Sequence, residues 1–194
     1  MLDEQTSIED YIRQAAAKQP TPGGGSVSAL VGALSAAMAE MAVNYSLGKK
    51  DLAAHQPELE TALAELTRAR ELMLVLMVED QAAYEAMTAA KKARNDPDYA
   101  AALQIGLSVP RALAAAALAV LERCVRLQDK VNKYLLSDLL VSADLAMATV
   151  RCALHNVKIN LPELTDEAQR SEIEKNNRRL LAHAVEMIQK LKGF

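Results

Sequence analysis

Among 194 residues there is no tryptophan, one phenylalanine and five tyrosines. A core without large rings must be held by many close contacts between small side chains. The same shortage of aromatic and β-branched residues argues against a sheet-based fold. Cysteine is nearly missing. Cys124 and Cys152 lie far apart, with no Cys-x-x-Cys and no histidine pair nearby. They read as buried thiols in a reducing compartment, and the spacing disfavours zinc. No basic stripe interleaved with aromatics occurs and the net charge is −3, which argues against a nucleic-acid partner. The longest uninterrupted apolar run, residues 112–121, is too short to cross a bilayer. Residues 1–5 are acidic and lack the basic and apolar regions of a signal peptide. These absences leave an expected cytoplasmic protein with no membrane partner, one domain over residues 1–194 and room for one sizeable core.

What is present is helical. Apolar residues make up 51% of the chain and alanine is plentiful. The expectation is all-α, a single-domain helical bundle with long antiparallel helices, dimeric. Ser7 with Asp10 reads as a capping box opening a short helix that ends before Pro20. Then comes Pro20-Thr21-Pro22-Gly23-Gly24-Gly25-Ser26. Three successive glycines allow backbone angles that a side chain forbids. Ser26 is placed to cap a helix over about 26–46, whose residues Ser28, Ala29, Gly32, Ala33 and Ser35 carry almost no bulk. A helix start fronted by glycine is a natural anion site, and equally an ordinary turn. The pattern is neither a P-loop nor a dinucleotide fingerprint. Gly48 closes the helix. Lys49 and Lys50 follow, as a solvated pair at the negative helix end or as contacts for a polyanionic tail.

Pro57 opens a long helix to about residue 94. Its seam is Leu59, Leu63, Leu66, Arg70, Met73, Met77, Asp80, Tyr84 and Met87, in alternating steps of four and three. Arg70 and Asp80 do not suit an apolar seam. Asp80 is either paired with a base on a facing helix, set at a wet edge, or held in a cleft with a raised pKa, ready to move protons. A break at Asn95-Asp96-Pro97 and a helix from about residue 98 follow, with a kink or a new start at Pro110. Residues 112–125 form a buried or interface helix. A central helix over 131–157 carries a mixed stripe of Asp138, Ser142, Leu145, Thr149, Cys152 and Asn156, facing a polar cleft or another helix. Asp138 reads as a cap, a buried partner or a catalytic group. Arg151 and His155 read as a surface pair. Asn156 and Asn160 either cap the helix end or share a pocket as amide partners for a heterocycle. Thr165-Asp166-Glu167 opens a last helix to about residue 192.

The block Pro-Thr-Pro-Gly-Gly-Gly-Ser resembles the cyclodeaminase/cyclohydrolase family of tetrahydrofolate enzymes. Leu47-Gly48-Lys49-Lys50, Glu79-Asp80, Val109-Pro110, Asn132, Ser137-Asp138 and Asn156 to Leu161 follow in family order. The resemblance implies an all-helical, dimeric fold with no metal and no cofactor beyond the folate substrate. It implies hydrolysis of 5,10-methenyltetrahydrofolate to 10-formyltetrahydrofolate, or cyclisation of 5-formimidoyltetrahydrofolate with loss of ammonia. On that basis Asp80 moves protons and Asp138 orients water or a bridge nitrogen. Pro22, Gly23, Gly24, Gly25 and Ser26 bind an anionic or carbonyl part of the folate. Asn156 and Asn160 line the pocket, and Lys49 or Lys50 meets the glutamyl tail. Val131, Tyr134, Leu140 and Arg111 depart from the family pattern. These departures keep two alternatives open: a non-catalytic folate-binding relative and a helical dimerisation module.

Overall fold

The computed structural model describes residues 6–94 and 96–191. The reading of residues 1–5, and of Asn95 in the chain break, lies outside the described residues. Among them six α-helices occur and no strand: α1 Ile8–Ala16, α2 Gly24–Asn44, α3 Gln56–Ala93, α4 Asp96–Leu127, α5 Leu136–Asn160 and α6 Glu167–Gln189. Ser7 caps α1 through its Oγ, which accepts from the Asp10 N–H at 3.1 Å. Pro57 sits in the first turn of α3, and Arg94 ends it in the left-handed conformation. Asp166 caps α6 by accepting from the Gln169 N–H at 3.0 Å. The central helix starts later than its sequence pattern suggests. Asn132 accepts from the Tyr134 N–H and opens a 3-10 turn, Lys133–Leu135, before α5 begins.

Helices α2 to α5 form an up-and-down bundle. Each packs antiparallel on its neighbours, with α2 between α3 and α5 and α4 closing the ring opposite. The register follows from the contacts: Gly25 meets Asp80 and Gly32 meets Met73 on α3, while Ser35 meets Ser142 on α5. Helix α6 covers α4 and α5. Windows of 18 residues in α2 and α4 reach a mean hydropathy of 1.6, long and apolar enough to match a membrane span, which the uninterrupted run at 112–121 did not reveal. In the bundle both helices pack between others.

Small side chains bring the backbones together. A Cβ added at Gly32 would lie 2.7 Å from Met73 Sδ and 3.0 Å from Thr149 Cγ2. Ser35 Oγ donates to the Ser142 carbonyl at 2.8 Å, and Ser142 Oγ returns the bond to the Ser35 carbonyl at 2.7 Å. This reciprocal clasp explains the polar stripe on α5: Ser142 and Thr149 are buried against α2. Cys124 is buried beside Ser142 Oγ at 3.3 Å, and burial pushes its thiol up to about 11. Cys152 is exposed, contrary to the expectation of two buried thiols.

No new helix starts at Pro110; α4 runs through it. Proline has no N–H, so the Gly106 carbonyl one turn earlier loses its helical donor. Asn160 supplies a replacement, its Nδ2 donating to Gly106 O at 3.0 Å. Gly106 makes room: a Cβ there would sit 2.9 Å from Met87 Sδ and 3.5 Å from Asn160 Nδ2. Asn160 is therefore first a repair of the helix that Pro110 interrupts. Asn160→Leu should lower the unfolding free energy by about 1–3 kcal/mol. In a Pro110→Ala background, where the N–H is restored, most of that loss should vanish. Urea unfolding of both single variants and the double measures the coupling; purely additive losses would contradict this account.

Candidate active site

The first turn of any helix leaves N–H groups without intrahelical partners. In α2 those belong to Gly24, Gly25 and Ser26, because the first helical bond runs from the Val27 N–H to the Gly23 carbonyl at 3.0 Å. Gly23 is the cap residue, and no side chain of this turn caps it. The cap comes instead from α3. The Asp80 carboxylate accepts from the Ser26 backbone N–H. It lies so close to Gly25 that a Cβ there would overlap its Cγ and both oxygens.

Two expectations are corrected by this geometry. The triple glycine is not there for unusual backbone angles: among the described residues the one glycine with positive φ is Gly48, at 72°. Gly25 is needed because only a missing side chain lets a carboxylate touch the helix tip. Ser26 is not the cap. It is fully buried in the third position of α2, with Oγ 3.0 Å from Tyr11 Oη and 3.0 Å from Gln81 Nε2.

The two polar members of the α3 seam meet opposite fates. Arg70 pairs with Glu40 of α2 at 2.7 Å. Asp80 has no ion pair with Lys, Arg or His among the described residues, and is half-buried. Burial pushes its carboxyl pKa up from the usual 3.8, and the Ser26 N–H pulls part of the way back. The result is a carboxylate that is easier to protonate than a surface one.

Asp80 opens onto a cleft of about 480 Å³. Four helix ends build it: the start of α2, the last turns of α3, the start of α4 and the end of α5. Gly23, Gly24 and Gly25 form one wall, and Asn156 and Asn160 another. The Asn156 amide Nδ2 bonds the Cys152 carbonyl at 3.2 Å, and its Oδ1 faces Gly24. Beyond them stand Tyr84, Met87, Lys91, Tyr99 and Glu163. The seam count flags Tyr84 and Met87. Lys91 is the next step of the same α3 seam, one position beyond where the count stops; Tyr99 and Glu163 carry no signal in the sequence, because α4 and the turn after α5 bring them in from a distance. Tyr99 Oη donates to Glu163 at 3.1 Å and its ring lies 5.8 Å from Lys91 Nζ.

The remaining expected site residues lie elsewhere. Pro22 is buried beneath the loop and does not line the cleft. Lys49 and Lys50 follow the far end of α2, about 30 Å away for a helix of 21 residues. Asp138 lies in the first turn of α5, whereas Asn156 is near its last turn, which separates them by about 27 Å. Within one chain, Asp80 and Asp138 do not share a site.

Comparison with known proteins agrees with this architecture. The family model described as formiminotransferase-cyclodeaminase matches residues 7–179. The chain belongs to that family. The methenyltetrahydrofolate cyclohydrolase of Methylorubrum extorquens is 29% identical over 187 residues, covering 92% of this chain and 90% of that protein. The formimidoyltransferase-cyclodeaminase of Mus musculus is 32% identical over 171 residues; this chain spans 32% of its length. Among solved structures, the formiminotetrahydrofolate cyclodeaminase of Thermotoga maritima superposes with a TM-score of 0.92 at 31% identity, covering 96% of this chain and 94% of that one.

A carboxyl whose folded pKa is raised adds stability below its unfolded pKa and loses it as pH rises through the folded value. Asp80 therefore weakens the fold near neutral pH. Asp80→Asn should melt higher than the wild type at pH 7, with the gap closing as the pH falls below about 4. Thermal melts across that range check it; a lower melting point at pH 7 would contradict the burial argument.

Proposed function

We propose that this chain acts on the one-carbon bridge between N5 and N10 of tetrahydrofolate. It either hydrolyses the 5,10-methenyl form to the 10-formyl form, or closes the 5-formimidoyl form with release of ammonia. The observation that carries this reading is Asp80: a half-buried carboxylate with no cation paired to it among the described residues, made more basic by burial, in the lining of a cleft. The family relatives, a cyclohydrolase and cyclodeaminases, support the same pair of reactions.

Both reactions pass through a tetrahedral carbon and need a proton moved twice. In hydrolysis, water adds to the bridge carbon and Asp80 takes its proton. The carbon–N5 bond then breaks as Asp80 returns the proton to N5, and the hydroxyl proton leaves for solvent. In cyclisation, N10 adds to the carbon of the protonated formimidoyl group, whose nitrogen becomes an amine carrying two hydrogens. Asp80 takes the N10 proton and gives it to the departing amine. A carboxylate with a pKa moved toward neutrality suits both steps, and such catalysis is worth about 10²–10⁴-fold. Gly23 and Gly24 present the wall against which the folate lies, and Asn156 offers its amide oxygen to a ring N–H.

We also propose a homodimer. On α2 and its C-cap residue Tyr45, the side chains of Val27, Leu34 and Tyr45 are exposed, with Val31, Met38 and Met41 half-covered between them. These six follow steps of four and three, one apolar stripe along the outside of α2. A second copy packed antiparallel on this stripe would set the far end of its bundle, with Asp138, Lys49 and Lys50, beside the cleft of the first. That arrangement keeps a role for all three residues. Val131, Tyr134 and Leu140 lie at this far end, so their departure from the family pattern leaves the Asp80 cleft of the same chain unchanged.

The test mixes the protein with each folate and follows methenyl absorbance and ammonia. Loss of absorbance faster than the buffer blank identifies the hydrolase, and a gain with ammonia identifies the deaminase. Asp80→Asn should cut the observed rate by about 10²–10⁴-fold. A variant as active as the wild type would remove Asp80 from the chemistry. Sedimentation should give a dimer, and Leu34→Glu should give a monomer; a monomeric wild type would contradict the pairing.

A further inference from the structure

Helix α1 is amphipathic in an odd way. Ile8 and Ile12 are 74% and 62% exposed, while Tyr11, at 6%, is the one buried residue of the helix. Its ring runs into the bundle and its hydroxyl ends 3.0 Å from Ser26 Oγ. On the other side of Ser26, Gln81 Nε2 donates to the same oxygen at 3.0 Å. Gln81 is buried too, and it follows Asp80 directly on α3. The Ser26 hydroxyl is thus gripped from two helices, while the Ser26 backbone N–H points at the Asp80 carboxylate. Within α2 the Ser28 hydroxyl donates to the Gly24 carbonyl, while Gly23, Gly24 and Gly25 have no side chain with which to hold the turn.

We infer that Tyr11 and Gln81 are positioning residues: through the Ser26 hydroxyl they hold the helix tip so that its amide meets Asp80. The inference rests on Asp80 being the proton carrier proposed above. The physical reason is that a buried serine hydroxyl bonded from both sides cannot rotate without leaving a polar group unsatisfied. Fixing the side chain fixes the peptide that carries it. The amide bond favours the ionised carboxylate and opposes the effect of burial. Loosening the grip therefore weakens that bond and makes Asp80 still easier to protonate.

The other titratable groups around Asp80 are few. On its own helix Glu79 and Glu85 are exposed, and Tyr84 and Lys91 lie along the cleft. Helix α4 brings Tyr99 and the turn after α5 brings Glu163, which bond each other. From α2 and α5 the facing groups are glycines and asparagines, which carry no charge. The Glu9, Asp10 and Arg13 cluster of α1 is an ion-paired group on its exposed face. Tyr11 is neutral at ordinary pH, its own pKa raised chiefly by burial.

The test uses Tyr11→Phe and Gln81→Met, which keep bulk and remove one polar partner each. In protein labelled with carboxyl-¹³C aspartate, the Asp80 signal is identified by its loss in Asp80→Asn and followed through a pH titration. Both variants should titrate at higher pH than the wild type. The acid limb of kcat should move the same way, with kcat at mildly acidic pH falling about tenfold while KM stays constant. An Asp80 titration that stays in place in either variant would overturn the inference, even if that variant melts earlier. A wild type that turns over neither folate would defeat the proposed reaction, and the carboxyl titration would still decide the positioning role.

Discussion

The structure depends on a carboxylate touching a glycine. Asp80 rests where the side chain of residue 25 would be, and from there it serves as the cap that α2 lacks. The contact satisfies a helix-terminal N–H, sets the depth at which α3 packs on α2, and takes a charge out of water. These effects oppose one another. The positive end of α2 and its amide favour the ionised form, while burial disfavours it. Burial wins, so the carboxyl is held above its ordinary pKa and is easier to protonate than a surface one.

The bundle places that contact at one end for a simple reason. In an up-and-down array of four helices, the start of α2, the end of α3, the start of α4 and the end of α5 meet on the same side. The middle of the bundle is closed by small residues: Gly32 under Met73, and Ser35 clasped with Ser142. Large cavities there would be costly. The ends have no such constraint, and loops and turns can spread to leave a cleft. Pro110 and Asn160 show the same economy. One helix gives up a donor, and a side chain at the cleft wall replaces it.

Much of this was legible in the sequence. The spacing of the α3 seam located the long helix and singled out Asp80, because a carboxylate among methionines and leucines violates the pattern that makes the helix. Ser7 and Pro57 marked helix starts through local chemistry that needs no partner. Other features depend on register between helices, which no local pattern carries. The three glycines were visible but their reason was not, since it lies in a side chain 55 residues away on α3. Ser26 looks like a cap to its own helix and turns out to be a buried anchor for others. Asp138 and the two lysines looked like members of the site because they share the family pattern, yet the antiparallel packing of α2 and α5 puts them at the far end. Tyr11 gave one unused signal: a lone aromatic in a short helix.

The most direct measurement is the turnover of Gly25→Ala on 5,10-methenyl- and 5-formimidoyltetrahydrofolate. Alanine is the better helix former by about 1 kcal/mol, so α2 should stay folded, as circular dichroism would show. The added methyl must nonetheless drive the Asp80 carboxylate from its place, and a displacement of that size should cost at least about a hundredfold in kcat. A folded Gly25→Ala protein that works at the wild-type rate would contradict the account.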